Sequence, residues 1–440
     1  MSVKILINNN DDPKADYITW CPTPCKITSD EPNAVEVVLN NKNPNQGGQV
    51  VFFQNQMTQP AGSLQFIVPP NGSVDFHIAG KFDDQTGVGF PSVEDKDTII
   101  GITEAGTGNL LGEKALMVRV RKNANTLTIG ERDRFLDAIV DLNQAGAYVE
   151  LQNMHLSSNS REIHGRSCFL PWHRSFLLDL ERKLQEIEPS VTLPYWKFDE
   201  PAPNVFRRDF MGVPGDAAGT VDFSGANPMV NWRVEILGVG SNRRIMRSYS
   251  GGINPALSRA AHVQNDEGQT LNLGDIFSVF SRRATFLDPG GIEGDPHGSA
   301  HVSFGGEISS IGTAPADPLF FMLHCNVDRL WAKWQWVNEL FEPINPDAYP
   351  NQGAGDPTNN SEIGIGNFTG DTMWPWNGVS GNPRPNHAPG GGLPTSPLTN
   401  VPGPQPKVEH MIDYQGQHSR DNNLHFSYED VPYTFDNTIV

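Results

Sequence analysis

Six of the chain's twelve histidines fall in two compact groups, and the segments around them limit how the middle of the chain can fold. The first group is His155, His164 and His173, spaced nine residues apart; the second is His297, His301 and His324. Nine positions on a continuous helix rotate through roughly 900°, which sends neighbours to opposite faces. The first three imidazoles therefore converge only if the helix breaks between them, and "SSNSREIHGRS" supplies a break. The spacing predicts that His155 ends one helix, His164 sits on a loop and His173 opens a helix over 171–188. In "CFLPWHRSFLLDLE", Pro171 suits the first turn, and Leu177, Leu180 and Leu184 continue the apolar stripe that His173 begins.

The second group lies in "PHGSAHV" and "DPLFFMLHCNVDRLWAKW". His297 and His301, four apart, share a face if helical, a usual arrangement for two ligands of one metal. Asp317 and Pro318 read as N-cap and first position of a helix over 316–341, with Phe320, His324, Val327 and Trp331 on one side. A lone buried histidine is most often a hydrogen-bonded core residue. Two inward triads point instead to metal. Imidazoles without cysteine or carboxylate partners suit copper better than magnesium or calcium, and ligand type leaves zinc open. A zinc protease needs glutamate directly after the first histidine of the pair, where this chain has Gly298.

The chain reads as a multidomain α+β protein. Residues 1–115 hold short β-branched and aromatic runs such as "AVEVVLNN", "QVVFFQNQ" and "SVDFHIAG", separated by Asn, Gly and Pro, as in a β-sandwich-like domain. Near "NTLTIGERDRFLDAIVDLNQAG" the apolar period changes from two to about 3.6. Thr128 is the expected N-cap there, and a helical domain follows over 116–345. Residues 346–440 are a Pro/Gly-rich loop ending in "LHFSYEDVPYTFDNTIV", read as one or two closing strands packed on the helical domain. With 32 Lys and Arg against 51 Asp and Glu, the net charge of −19 argues against a nucleic-acid partner. No apolar run reaches the roughly 18 residues of a membrane span, and the N-terminus is a poor secretory signal, so the expectation is a soluble, cytoplasmic protein. Cys21 and Cys25 could pair, bind metal or remain thiols; Cys168 and Cys325 read as buried core thiols.

"HGRSCFLPWHRSFLLDLE", from His164 through Phe169, Trp172, His173 and Arg174 to Glu181, resembles the first-copper signature of the tyrosinase, catechol oxidase and haemocyanin family. "DPLFFMLHCNVD", Asp317 to Asp328, resembles its second-copper signature, and "LPYWKFDEP" and "RKNANTLT" are also similar to family stretches. The likeness spans about residues 115–345. It implies a four-helix bundle around two copper ions, one held by His155, His164 and His173 and the other by His297, His301 and His324. The implied activity is that of a type-3 copper polyphenol oxidase taking dioxygen and a small phenolic substrate. It would convert o-diphenols to o-quinones, with weaker monophenol o-hydroxylation. An o-aminophenol oxidase and a haemocyanin-like oxygen carrier are the alternatives.

The resemblance further implies that Glu293 holds a water able to accept the proton of a phenol, whose pKa is about 10. Gly298 stands where members with strong monophenol activity carry asparagine, which favours diphenol oxidation here. Ile311 occupies the position over the copper entrance, and Gly298, Val302 and Asp328 are grouped with it around the entrance and the ligands. Cys325 replaces a histidine common in the family. The thioether that some members form to a first-site histidine is not expected, because Cys21 and Cys25 lie far upstream. Arg174, Asp328 and Arg329 read as buried charge pairs that support the ligands. Asn204 and Arg207 are candidates to reach the pocket. His262, His387, His410, His418 and His425 fall outside both motifs and read as surface or structural.

Overall fold

The computed structural model describes residues 3–43, 46–56, 58–83, 87–156, 162–215, 219–235, 243–249, 263–264, 270–271, 292–349, 351–355, 368–382 and 384–434. The chain forms two compact units, one of Met1–Arg121, Ser396–Val401 and Tyr414–Val440, the other of Lys122–Thr395 and Pro402–Asp413.

In the first unit, strands β1 (Val3–Ile7), β3 (Thr23–Ser29), β5 (Val50–Phe53) and β7 (Ser73–Gly80) make a sheet in the order β1-β3-β7-β5. Strands β2 (Tyr17–Ile18), β4 (Val35–Asn41), β6 (Ser63–Val68), β10 (Thr98–Glu104) and β11 (Leu110–Val118) make another, ordered β2-β11-β10-β4-β6. A small pair, β8 (Phe82–Asp83) and β9 (Val88–Gly89), stands apart. Alternate residues of β3 are buried, as the period-two pattern requires. Ile27, Phe52 and Ile78 of one sheet and Val37, Leu39 and Ile100 of the other belong to a single core.

Two expectations for the end of the chain are corrected. The stretch 346–440 does not pack as one piece on the helical unit, because Tyr414–Val440 groups with the sheets. The Trp20 indole donates to the Tyr428 carbonyl at 2.8 Å, the Arg121 amide donates to the Ser427 carbonyl at 2.8 Å, and the Arg121 guanidinium lies 4.0 Å from the Phe426 ring centre. Among the described residues of this stretch there is no ladder strand, only isolated bridges such as Tyr428 to Val431. Residues 435–440 lie outside the described residues.

In the second unit, α1 (Ile129–Gln144) starts at Thr128, whose hydroxyl and the Glu131 carboxylate form a reciprocal capping box. Helix α2 (Tyr148–Leu156) and helix α3 (Phe169–Ile187) follow; the short α4 (Ser299–Val302) and long α5 (Leu319–Val337) come later, and α6 (Val408–Ile412) near the end. Helix α3 packs against α1, α5 and α6. Helices α3 and α5 are buried nearly all round, so the charges they carry must be paired inside. Arg174 of α3 meets this by donating to Asp328 of α5 at 2.6 Å, to Gln335 at 3.0 Å and to the Met411 carbonyl at 2.6 Å.

Helix α5 begins two residues after Asp317 rather than beside it, with Pro318 in the cap position. Asp317 still accepts the Leu319 amide at 3.0 Å, and its carboxylate also holds Arg247 of strand β12 (Arg247–Tyr249) through two bonds of 2.7 Å. That second partner draws the carboxylate inward. All four cysteines are free and buried, so the pairing open to Cys21 and Cys25 is not made. Among the described residues, no helix is long and apolar enough to cross a membrane.

Candidate metal centre

His155 lies in the last turn of α2, His164 on the loop before α3 and His173 in the first turns of α3, the arrangement expected from the nine-residue spacing. Residues 157–161, part of the breaking segment, lie outside the described residues. The other triad departs from a simple helical pair. Glu293–Gly298 is a π-helical turn carrying His297, α4 carries His301, and α5 carries His324. Such wide turns recur at functional sites because the extra residue re-aims side chains.

Within each triad the three ligand-capable nitrogens lie within 4.8 Å of one another. Four imidazoles are oriented by backbone carbonyls. The Nδ1 of His155 meets the Ile311 carbonyl at 2.7 Å, that of His173 the Phe169 carbonyl at 2.8 Å, that of His297 the Glu293 carbonyl at 2.8 Å and that of His301 the Ile308 carbonyl at 2.6 Å. A carbonyl only accepts, so Nδ1 carries the proton and Nε2 presents a lone pair. The Nε2 atoms of His155 and His173 are buried without a hydrogen-bond partner. The His324 Nε2 lies 3.2 Å from that of His297 and 3.3 Å from that of His301. The lone pairs of His297 and His301 both face the His324 Nε2, and the spacing suits a shared metal, since ligands at about 2.0 Å from a tetrahedral metal sit about 3.3 Å apart. The two triads thus fit two metal ions.

The triads meet through ring stacking. His173 and His324 lie parallel with centroids 4.1 Å apart and planes 9° from coincidence. Phe169 packs on His173 at 4.6 Å and on His297 at 5.0 Å, while Phe320 packs on His324 at 4.2 Å and on His155 at 4.9 Å. These apolar rings keep the imidazoles out of water. Burial lowers the pKa of His155, His173, His297 and His324 well below the usual histidine value and takes His164 and His301 to about 4. At neutral pH all six are neutral, the form that binds metal.

The same shifts set an acid dependence. Between about pH 6.5 and pH 4 the unfolded chain binds protons at these histidines that the folded metal-free chain excludes, so folding stability falls as pH falls through that window. Urea unfolding of metal-free protein should show a lower midpoint at pH 5 than at pH 7.5; an equal or higher midpoint at pH 5 would contradict the burial-induced shifts.

Glu293 lies on the π turn, and both its carboxylate oxygens accept the Gly165 amide, at 2.9 and 2.8 Å. Burial pushes its carboxyl up to about 7 against that hydrogen bond, which favours the charged form. Gly298 is half-buried, and a Cβ built on it would meet only the Glu293 carbonyl, at 3.4 Å. The side chains of Val302 and Ile311 are exposed, 60% and 57%. Asp328 is buried in its pair with Arg174, so it supports α3 and α5 rather than an entrance. Arg329 reaches Asn326 at 3.0 Å and covers the Tyr195 ring. Asn204 is exposed and tied to Asn125, and Arg207 to Asp209. Of the remaining histidines, His387 and His418 are exposed, His77, His410 and His425 are half-buried, and His262 lies outside the described residues.

Sequence reasoning missed the carbonyls of Ile311, Phe169, Glu293 and Ile308, since a backbone acceptor has no residue-type signature. It also missed Glu162. This carboxylate, buried two residues before His164, accepts the Trp374 amide at 2.7 Å and pairs with Arg384.

Residues 145–337 match the family model described as the common central domain of tyrosinase. A tyrosinase of Streptomyces glaucescens is 34% identical over 230 residues, covering 49% of this chain and 82% of that protein. A grixazone synthase of Streptomyces griseus is 32% identical over 272 residues, covering 50% of this chain and 85% of that protein. Among solved structures, a polyphenol oxidase from Thermothelomyces thermophila has a TM-score of 0.44 at 17% identity, covering 70% of this chain and 88% of that one. With its long central match to curated tyrosinases, the chain belongs to the tyrosinase family of type-3 copper polyphenol oxidases.

Proposed function

We propose that the chain holds one copper ion in each histidine triad and oxidises o-diphenols to o-quinones with dioxygen, faster than it hydroxylates monophenols. The observation that carries this reading is the meeting of two neutral, buried imidazole triads through the His173–His324 stack. Copper supplies the electron exchange with dioxygen and the phenol. The protein's own part is placement: His155, His164 and His173 hold one ion, His297, His301 and His324 the other, and Phe169 and Phe320 exclude water around them. Glu293, with its carboxyl at about 7, accepts the phenol proton through a water, while Val302 and Ile311 form the rim that a small phenol passes.

We also read α1, α2, α3 and α5 as the four-helix bundle around this centre, the N-terminal sheets as a sandwich, and 116–345 as the catalytic stretch. The pairwise packing of those helices and the single core shared by the two sheets support this.

Oxygen uptake by copper-loaded protein with 4-methylcatechol, p-cresol and o-aminophenol in parallel tests the activity. Fastest uptake with the catechol is expected, and reversible oxygen binding without turnover would refute the oxidase. The likeness to a grixazone synthase supports o-aminophenols as a second substrate class, in which case that arm exceeds the catechol. The open space at Gly298 supplies a further check. Gly298→Asn is expected to raise the p-cresol to 4-methylcatechol rate ratio by about tenfold, the effect of roughly one hydrogen bond's worth of transition-state stabilisation on the bound water. An unchanged ratio would remove Gly298 from the account of substrate preference.

A further inference from the structure

The Pro/Gly-rich segment after residue 370 lies beyond the stretch that matches the family model, yet it is fastened at each element of the first triad. The Gly390 amide donates to Glu150 of α2 at 3.0 Å, and Gly390 abuts Met154, the neighbour of His155. The Trp374 amide donates to Glu162 at 2.7 Å, and Arg384 pairs with the same carboxylate, two residues before His164. The Trp172 indole, beside His173, donates to the Trp374 carbonyl at 2.5 Å, and the Trp376 indole donates to Asp179 of α3 at 2.7 Å.

His164 depends most on such a fastening. His155 and His173 ride on helices, whereas His164 sits on a loop whose next residue, Gly165, adopts a φ of 66°. The loop is anchored on one side by the Gly165 amide bonded to Glu293 and on the other by the enclosed Glu162–Arg384 pair. Removing Arg384 strands a carboxylate in a site closed to water, and the loop must move to hydrate or protonate it.

We infer that Glu162 and Arg384 are positioning residues by which segment 371–390 holds His164 in place and so sets metal binding at the first triad selectively. The second triad is held by other means, α5 through Asp317 and Arg247 and through Asp328 and Arg174. The inference rests on the reading of the triads as copper sites. Displacing a partner that orients a ligand typically weakens metal binding by about 10–100-fold.

The test is copper content and electron paramagnetic resonance of the full chain after equilibration with a competing chelator. Two coupled Cu(II) ions are silent, whereas one isolated Cu(II) ion gives a signal. Wild type should keep two copper ions per chain and stay silent. Arg384→Met should keep one and show the isolated signal, and Arg384→Lys should recover much of the second. A wild type that never binds a coupled pair overturns the copper reading and this inference with it. A folded Arg384→Met protein with two silent copper ions overturns the inference alone. Should Arg384→Met fail to fold by circular dichroism, Glu162→Gln, which keeps the volume and an acceptor for Trp374, is measured the same way. If neither variant folds, the pair serves the whole unit rather than one triad, and the inference falls.

Discussion

On the proposed function, His173→Ala is expected to abolish catechol-dependent oxygen uptake, with a loss of more than about 100-fold, the upper end for disturbing merely the outer partner of a ligand. The expected size follows from the two places this imidazole occupies. Its Nε2 is one of three converging atoms in the first triad, and its ring is stacked on His324 of the other. Alanine therefore removes a ligand and also leaves a gap against which His324 was aligned. Copper content should fall below two per chain, while circular dichroism remains that of a folded protein, since α3 keeps its other buried faces. Retention of full copper content and turnover in His173→Ala would refute the assignment of the first triad.

The second large effect concerns stability. Arg247→Ala is expected to destabilise the helical unit by about 3–5 kcal/mol, because it leaves Asp317 as an uncompensated charge in a site with no solvent access. That corresponds to a fall in Tm of roughly 10 °C, at about 2–4 °C per kcal/mol for a unit of this size. The comparison with Arg247→Met/Asp317→Asn separates charge from packing. The double variant removes the lone charge while asparagine can still cap the Leu319 amide, so its loss should be smaller than that of Arg247→Ala alone. A double variant at least as unstable would mean that side-chain packing, rather than the stranded carboxylate, dominates.

The helices that bear the histidines could be read from the chain because their signals are local. Apolar residues at i, i+3 and i+4 announced α3 and α5, Thr128 announced the start of α1, and the nine-residue spacing required a break before His164. The β runs of the first unit were equally local, although their order in two sheets depends on long-range pairing that no single run encodes.

What could not be read depends on partners distant in sequence. Asp317 looked like a simple cap because nothing nearby revealed Arg247, seventy residues upstream. The segment "NHAPGGGLPTSPLTNVPGPQP" looked like linker because proline and glycine deny it regular structure, yet Gly390 at its head is hydrogen-bonded to α2. The closing stretch had strand-like composition, but its Tyr428 carbonyl is taken up by the Trp20 indole and its Phe426 ring by Arg121 rather than by a ladder. The π turn escaped notice because an i, i+4 pair of histidines reads the same whether the turn is regular or widened.

The carbonyl of Ile311 orients His155 while its side chain stands in solvent. One position thus serves the scaffold with its main chain while its side chain makes no demand on the packing. Every amino acid brings the same carbonyl, so this position can be exchanged without altering the acceptor that holds the imidazole. Substitution at 311 should therefore leave the histidine framework in place, so that any change it makes in substrate preference can be read without a change in how His155 is held.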